Sequence, residues 1–219
     1  MVLNNISVRL RLSVSYIILI LLTLISGLLG IKGMWDLYHN MEYIGSDRIP
    51  DLINLDELNF QRMVIRTQTL EVFAAKEAAN PSGEMNKIMT NRNNSWNDID
   101  STWKEFNSIP RMTETGKNML IELTNAYKAW RDIYVQLDSL ILKMRDAETM
   151  TEFETYYYQY DTYYKRMLPI SEVYGQNLMK IKNHNTSQTN LYVEHSVEEG
   201  TLFISISIIA ILVSITSAI

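Results

Sequence analysis

Two uninterrupted apolar stretches flank a long polar segment in this chain. The first runs from Val14 to Ile31 and the second from about Thr201 to Ile219, and neither contains a charged residue. At about 1.5 Å of rise per residue, each is long enough for a helix to cross the hydrocarbon core of a bilayer. The segment between them, residues 32–200, therefore has to lie wholly on one side of a membrane.

The charges beside the first stretch predict which side that is. Arg9 and Arg11 precede it with no acidic neighbour, whereas a single lysine follows it and acidic residues come soon after. Positively charged flanks stay in the cytoplasm. We therefore expect residues 1–13 to be cytoplasmic and residues 32–200 to lie outside the cytoplasm. A cleaved signal peptide is the alternative interpretation of the first stretch.

Within the middle segment, clusters of turn-forming residues separate long periodic runs. The breaks are Asn80–Gly83, Ser108–Pro110 and, more weakly, Asp146–Thr151, where Thr149 and Glu152 have the spacing of a capping box. Four segments result, at about 32–79, 84–108, 113–146 and 149–200. Each carries apolar residues three and four positions apart, and none alternates with the period of two that strands show. The sequence predicts an all-α fold, an up-down-up-down four-helix bundle between two transmembrane helices.

Two prolines fall inside the predicted long helices. Pro50 lies in the first and Pro169 in the fourth. Because proline has no N–H to donate and its ring clashes with the preceding turn, each should kink its helix or mark a local break.

Composition and motifs narrow the range of functions. The net charge is −5 and cysteine is absent, so a basic face for nucleic acid, a disulfide and thiolate chemistry are not expected. No phosphate-binding glycine loop, H-E-x-x-H motif or nucleophile elbow occurs in the sequence. His184 and His195 share a helical face, but two ligands are too few for a metal site. We therefore expect the protein not to be an enzyme and to hold neither a cofactor nor a metal.

Arginines in the predicted bundle are the best candidates for contact with a ligand. Arg62 and Arg66 are four residues apart and share a face of the first helix with Thr69. Arg92 occupies a position in the second helix where the pattern calls for an apolar residue. A buried arginine is costly unless an anion meets it.

Two interpretations of these arginines remain open. One is structural, with an acidic partner such as Glu71 or Glu154 or with a side chain that reaches solvent along an apolar stem. The other is a pocket that holds a small carboxylate between arginine and tyrosine side chains. The candidate ligand-binding residues are Arg62, Arg66, Thr69, Arg92, Trp96, Trp130, Tyr134, Tyr157, Tyr160 and Tyr164.

Short motifs spread along the chain resemble those of one receptor family. They are Ser7–Leu12 before the first span, Ser46–Leu52, the pair Arg62 and Arg66, Glu114–Trp130 and Met167–Ile170. Together with the two spans, they resemble the periplasmic part of a methyl-accepting chemotaxis protein, a chemoreceptor with a four-helix-bundle ligand-binding domain. The resemblance implies a homodimer in a bacterial inner membrane, with the bundle in the periplasm and coupling to a cytoplasmic kinase through a small helix displacement. It also implies either first-helix arginines that hold ligand carboxylates at the dimer interface, as in the family's amino-acid receptors, or an organic acid bound within one bundle, as in other members.

The expected function is therefore that of a sensor module for a small periplasmic ligand, a carboxylate such as an organic acid or an amino acid. Since the sequence ends inside the second apolar stretch, we expect an output module to follow it. One alternative is the same sensor domain on a histidine kinase or a cyclic-dinucleotide enzyme. Another is a membrane-tethered helical scaffold that binds a periplasmic protein.

Overall fold

The regular structure of this chain is helical throughout. A computed structural model describes residues 8–111 and 113–218, and the side chains of these except residues 8, 11 and 214–218. Its elements are α1 (Val8–Tyr43), a π-helical turn (Ile44–Arg48), α2 (Ile49–Ala75), α3 (Pro81–Ser108), α4 (Glu114–Arg145) and α5 (Met150–Ala218). Among the described residues there is no strand, and the predicted all-α four-helix bundle is confirmed. The chain divides into two units, one of residues 47–187 and one of residues 1–46 with 188–219.

Residues 47–187 form the bundle, in which α2, α3, α4 and the first part of α5 surround one core. The stripes expected from the sequence supply this core, because positions three and four apart lie on one face of a helix. The largest fully buried side chains include Trp130, Tyr134, Tyr160, Tyr174, Phe106 and Arg92. A charged residue in that set marks the place where the interior is polar.

Side chains at the helix starts satisfy backbone N–H groups that have no partner within the helix. At α3, Asn80 Oδ1 accepts from the N–H of Gly83 at 3.0 Å. At α5, Thr149 Oγ1 accepts from the N–H of Glu152 at 3.2 Å, and Glu152 Oε2 accepts from the N–H of Thr149 at 3.4 Å. The capping box predicted at Thr149 and Glu152 is confirmed.

The two prolines behave differently. Pro50 lies in the first turn of α2, directly after the π-helical turn, where its missing N–H leaves no hydrogen bond unmade. The regular α-helical geometry therefore changes next to Pro50, but the helix does not end there. Pro169 lies inside α5, and the helix continues through it, so the alternative of a break at Pro169 is wrong. The helix runs without interruption from Met150 to Ala218, so its bundle part and the second apolar stretch belong to one element.

The other unit, residues 1–46 with 188–219, contains both apolar stretches. Its two helical segments include windows of mean hydropathy 2.5 and 1.8, which by length and composition suffice to cross a membrane. Gly33 of α1 lies against Phe203 of α5, so close that a Cβ on residue 33 would come within 2.5 Å of the Phe203 ring. Asn40 Nδ2 donates to Ser196 Oγ at 3.0 Å.

Candidate functional site

A buried arginine on α3 connects three helices of the bundle. Arg92 is fully buried, and its Nη1 donates to Asp138 Oδ1 on α4 at 2.6 Å. Its Nη2 donates to Thr69 Oγ1 on α2 at 2.8 Å. Trp96 Nε1 donates to the second carboxylate oxygen of Asp138 at 2.9 Å. We call Thr69, Arg92, Trp96 and Asp138 the arginine network.

Asp138 is the acidic partner of Arg92, so the expectation of Glu71 or Glu154 is wrong. Asp138 was not predicted from the sequence, because it directly follows the core position Leu137 and fits the pattern of a surface residue beside the apolar stripe of α4. Its one available signal was its place four residues after Tyr134, on the same side of the helix. Burial is the largest single influence on the pKa of Arg92 and lowers it, but the Asp138 carboxylate together with Tyr160 and Tyr134 raises it by more.

Two tyrosines close the polar region around the arginine network. Tyr160 OH donates to the backbone oxygen of Thr69 at 3.0 Å, and Tyr134 OH donates to Met167 Sδ at 3.3 Å. Burial raises the pKa of both phenols, so both are neutral at physiological pH. Five of the candidate residues, Thr69, Arg92, Trp96, Tyr134 and Tyr160, are therefore brought together, with their polar groups directed at one another or at neighbouring core residues.

Trp130 belongs to an aromatic cluster beside this region. Its ring stacks on Tyr174 with centroids 4.7 Å apart and meets Trp96 edge-on at 5.1 Å. Trp130 Nε1 and Tyr174 OH are buried and have no hydrogen-bond partner among the described residues. Burial raises the pKa of Tyr174 well above its ordinary value.

Arg62 is engaged in the joint between α2 and α5. Its Nε and Nη2 donate to Asn59 Oδ1 at 3.2 and 3.1 Å, and its Nη1 donates to the backbone oxygen of Ser171 at 3.2 Å. A Cβ on Gly175 would lie 2.8 Å from Arg62 Cζ, so the glycine makes room for the guanidinium. Partial burial lowers the pKa of Arg62. An isolated glycine within the fourth helical pattern suggests a close packing contact, but it does not show which side chain the glycine accommodates.

Arg66 lies one turn further along α2 in a different environment. It is half-buried, and within the described part of the chain its side chain makes neither a hydrogen bond nor an ion pair. Met63 and Leu70, three residues before it and four after it, are 44% and 48% exposed. The guanidinium of Arg66 is thus available to an anion at the edge of the bundle.

The remaining two candidate residues, Tyr157 and Tyr164, surround Phe73. Their ring centroids lie 5.8 and 5.0 Å from that of Phe73. Lys76 Nζ lies 4.5 Å from the centroid of the Tyr157 ring. These two tyrosines belong to a neighbouring aromatic layer and make no contact with the arginine network of their own.

An open groove of about 780 Å³ lies between α3, α4 and the start of α5. Its charged lining consists of Asp138, Asp146, Glu148 and Glu152 against Lys143. This excess of carboxylates repels a carboxylate ligand. The groove is therefore a poorer site for such a ligand than the arginines of α2.

The outer face of α2 carries a stripe of exposed apolar side chains. Its members are Ile49, Ile53, Phe60, Met63 and Leu70. They recur at steps of three, four and seven residues, the spacing of a helix face that packs against another helix. We call this set the α2 stripe; Arg66 lies at its border.

A comparison with protein families gives this arrangement its context. The family model described as TarH, Tar ligand binding domain homologue, matches residues 2–178, which is more than half of the chain. No curated protein and no solved structure was found to match. The match agrees with the helical bundle and with the two apolar helices that accompany it. This chain belongs to the TarH family of Tar ligand binding domain homologues, the sensor domains of chemoreceptors.

Proposed function

We propose that this receptor domain binds a small carboxylate, an organic acid or an amino acid, through Arg66. The observation that carries the proposal is a half-buried guanidinium without a partner among the described residues. A buried or partly buried charge is retained at a cost unless an anion meets it. A carboxylate can accept two parallel hydrogen bonds from a guanidinium, which gives both strength and orientation.

The other two candidate arginines already have partners. Arg92 is neutralised by Asp138, and Arg62 donates to Asn59 and Ser171. Arg62 nevertheless contributes positive charge, because residues four apart on a helix are neighbours. Two like charges at this spacing disfavour the empty site by about 0.2–0.5 kcal/mol, which a bound anion offsets.

The receptor works as a homodimer in this proposal, with the α2 stripe as the contact between two copies. Monomeric proteins seldom expose a continuous apolar surface without a binding role. A second copy fits because the same stripe on both chains is self-complementary about a two-fold axis. Since Arg66 borders the stripe, the ligand site lies beside this interface.

Ligand binding in the periplasm would be passed on by a small displacement of α5. Arg62 joins α2 to α5 through Ser171 and Gly175, next to the proposed site. The ligand needs only a differential affinity for two packings of the bundle, about 1–3 kcal/mol. Packed helices transmit such shifts because their interfaces are stiff.

A thermal-shift screen of the chain in nanodiscs against a panel of organic acids and amino acids tests the ligand proposal. A bound ligand raises the unfolding temperature. We expect a carboxylate hit whose shift disappears in Arg66→Gln and persists in Arg166→Gln, which changes an exposed arginine on α5. Retention of the shift in Arg66→Gln would remove Arg66 from the site.

The absence of cysteine makes the dimer proposal testable with single cysteines. Phe60→Cys on the α2 stripe should form an oxidative cross-link between two chains in membranes. Ile121→Cys on α4 is the control, because Phe60 and Ile121 are both 59% exposed. Equal cross-linking at the two positions would contradict the assignment of the interface to α2.

A further inference from the structure

A second buried polar cluster lies where α2 begins. Asp51 Oδ2 accepts from Arg111 Nη1 at 2.5 Å and also from Asn185 Nδ2. Asn185 Oδ1 in turn accepts from Arg48 Nη1 at 3.3 Å. The side chains of Asp51 and Arg111 are 0% and 6% exposed, and Arg48 and Asn185 are also buried.

These four residues come from four different parts of the bundle unit. Arg48 ends the π-helical turn, Asp51 lies in α2, Arg111 lies between α3 and α4, and Asn185 lies in α5. Among them, Asn185 alone belongs to α5, and its amide is held from both sides. The buried α5 residues before it on this face, Leu178 and Ile181, are apolar.

The hydrogen bonds of Asn185 are sensitive to small movements of α5. Apolar side chains tolerate a slide of about 1–2 Å, the usual size of a helix shift at an interface. A hydrogen bond does not, since it weakens steeply with distance and angle. The Asn185 amide therefore keeps both of its bonds in one position of α5 and loses at least one of them in a shifted position.

The cluster also contains buried polar atoms without hydrogen-bond partners, which could form bonds in a second arrangement of its side chains. Asp51 Oδ1 and Arg111 Nε are buried and have no hydrogen-bond partner in the described part of the chain. A fully satisfied network strongly favours one geometry, whereas a partly satisfied one can exchange partners. When a shift of α5 breaks the hydrogen bond from Asn185, Asp51 still accepts from Arg111 through Oδ2. Its Oδ1 can then accept from one of the neighbouring guanidinium groups.

We propose that Arg48, Asp51, Arg111 and Asn185 form a polar latch that holds α5 in one position and must open when α5 moves. The inference rests on the proposed function only in assigning the signal to α5. The latch favours the closed position, and whatever displaces α5 has to outweigh its hydrogen bonds. It thereby sets the resting balance between the two packings of the bundle.

Spin-label distances measured without any ligand test the latch. Labels at Lys128→Cys on α4 and Asn183→Cys on α5, both exposed, report the position of α5 in nanodiscs, with unlabelled chain added to suppress signals between copies. Asn185→Leu keeps the number and branching of the side-chain heavy atoms and removes these hydrogen bonds. We expect a displaced or second distance population, shifted by about 1–2 Å.

Asn177→Leu is the matched control, because the Asn177 amide bonds only to the Val173 oxygen of its own helix; it should leave the distances unchanged. Asp51→Asn removes the shared charge without altering Asn185 and should reproduce the effect of Asn185→Leu. Wild-type distances in both Asn185→Leu and Asp51→Asn would overturn the latch. Failure of the carboxylate screen would leave this result unaffected, so the two proposals fail separately.

Discussion

The carboxylate of Asp138 receives two donors, Arg92 and the indole of Trp96, and only its outer side reaches solvent. Arg92 is fully buried and depends on that carboxylate for its counter-charge. At the scale of single residues, the interior of this bundle is therefore sensitive to the loss of an acid that is itself partly exposed.

Asp138→Ala should lower the free energy of unfolding by about 3–5 kcal/mol, because it leaves a buried charge without a partner. Asp100→Ala is the control, since the ion pair of Asp100 with Arg131 lies at the surface and such pairs contribute about 0–1 kcal/mol. Urea unfolding followed by circular dichroism measures both. Equal effects of the two substitutions would contradict the account of the arginine network.

Two buried tyrosines provide a second test at this scale. Tyr174→Phe removes a hydroxyl that has no hydrogen-bond partner in the described structure, and should raise the free energy of unfolding by about 1 kcal/mol. Tyr160→Phe removes the hydrogen bond to the Thr69 oxygen and should lower it by about 1 kcal/mol. In urea unfolding, Tyr174→Phe should raise the free energy of unfolding and Tyr160→Phe should lower it. A lower free energy of unfolding in both variants would mean that Tyr174 OH has a partner.

The sequence indicated that Arg92 is buried, but it did not indicate the partners of Arg92 and Arg62 on other helices. Arg92 stood out because a charge interrupted an apolar stripe, and it is indeed buried. Its partner Asp138 looked like an ordinary surface acid, since periodicity along one helix does not show which residue of another helix faces it. The same limit explains why the engagement of Arg62 with Ser171 and Gly175 required the packed structure.

At the scale of the elements, the helices follow closely from local signals. Apolar spacing of three and four residues predicts four bundle helices, and side-chain caps fix where several of them start. The bundle part of α5 and the second apolar stretch form one helix, because no glycine–proline turn or cap separates them.

The cap of α4 is the element-scale prediction. Thr113 Oγ1 accepts from the N–H of Gly116 at 3.0 Å, and Thr113→Ala should lower the free energy of unfolding by about 1 kcal/mol. Thr102→Ala is the control, because Thr102 Oγ1 only donates to the Asp98 oxygen within its own helix and its loss should be nearly neutral. Thermal unfolding of the two variants separates them; similar unfolding temperatures would contradict the capping role.

At the scale of the whole molecule, the TarH match and the two apolar helices make this a membrane receptor. We predict the orientation from the arginines that precede the first span, because the positive-inside rule depends on lysine and arginine flanks. Neither the fold of the bundle nor its core determines which side of the membrane it occupies.

A membrane-impermeant maleimide tests the predicted orientation. Lys104→Cys places an exposed cysteine on α3, and it should react in intact bacterial cells whose outer membrane has been made permeable. Asn5→Cys, in the segment predicted to be cytoplasmic, should react only after the inner membrane is also opened. The reverse pattern would place the bundle in the cytoplasm and contradict a periplasmic sensor.

The fit of Gly33 against Phe203 has a consequence for protein engineering. Because a methyl group at residue 33 would come within 2.5 Å of the Phe203 ring, the second span fits closely against α1 just beyond the first span, although these residues are far apart in sequence. A chimera that grafts this receptor onto a foreign output domain should therefore transfer both spans as a pair. Exchange of α1 alone introduces a collision wherever the donor carries a larger side chain at the position of Gly33.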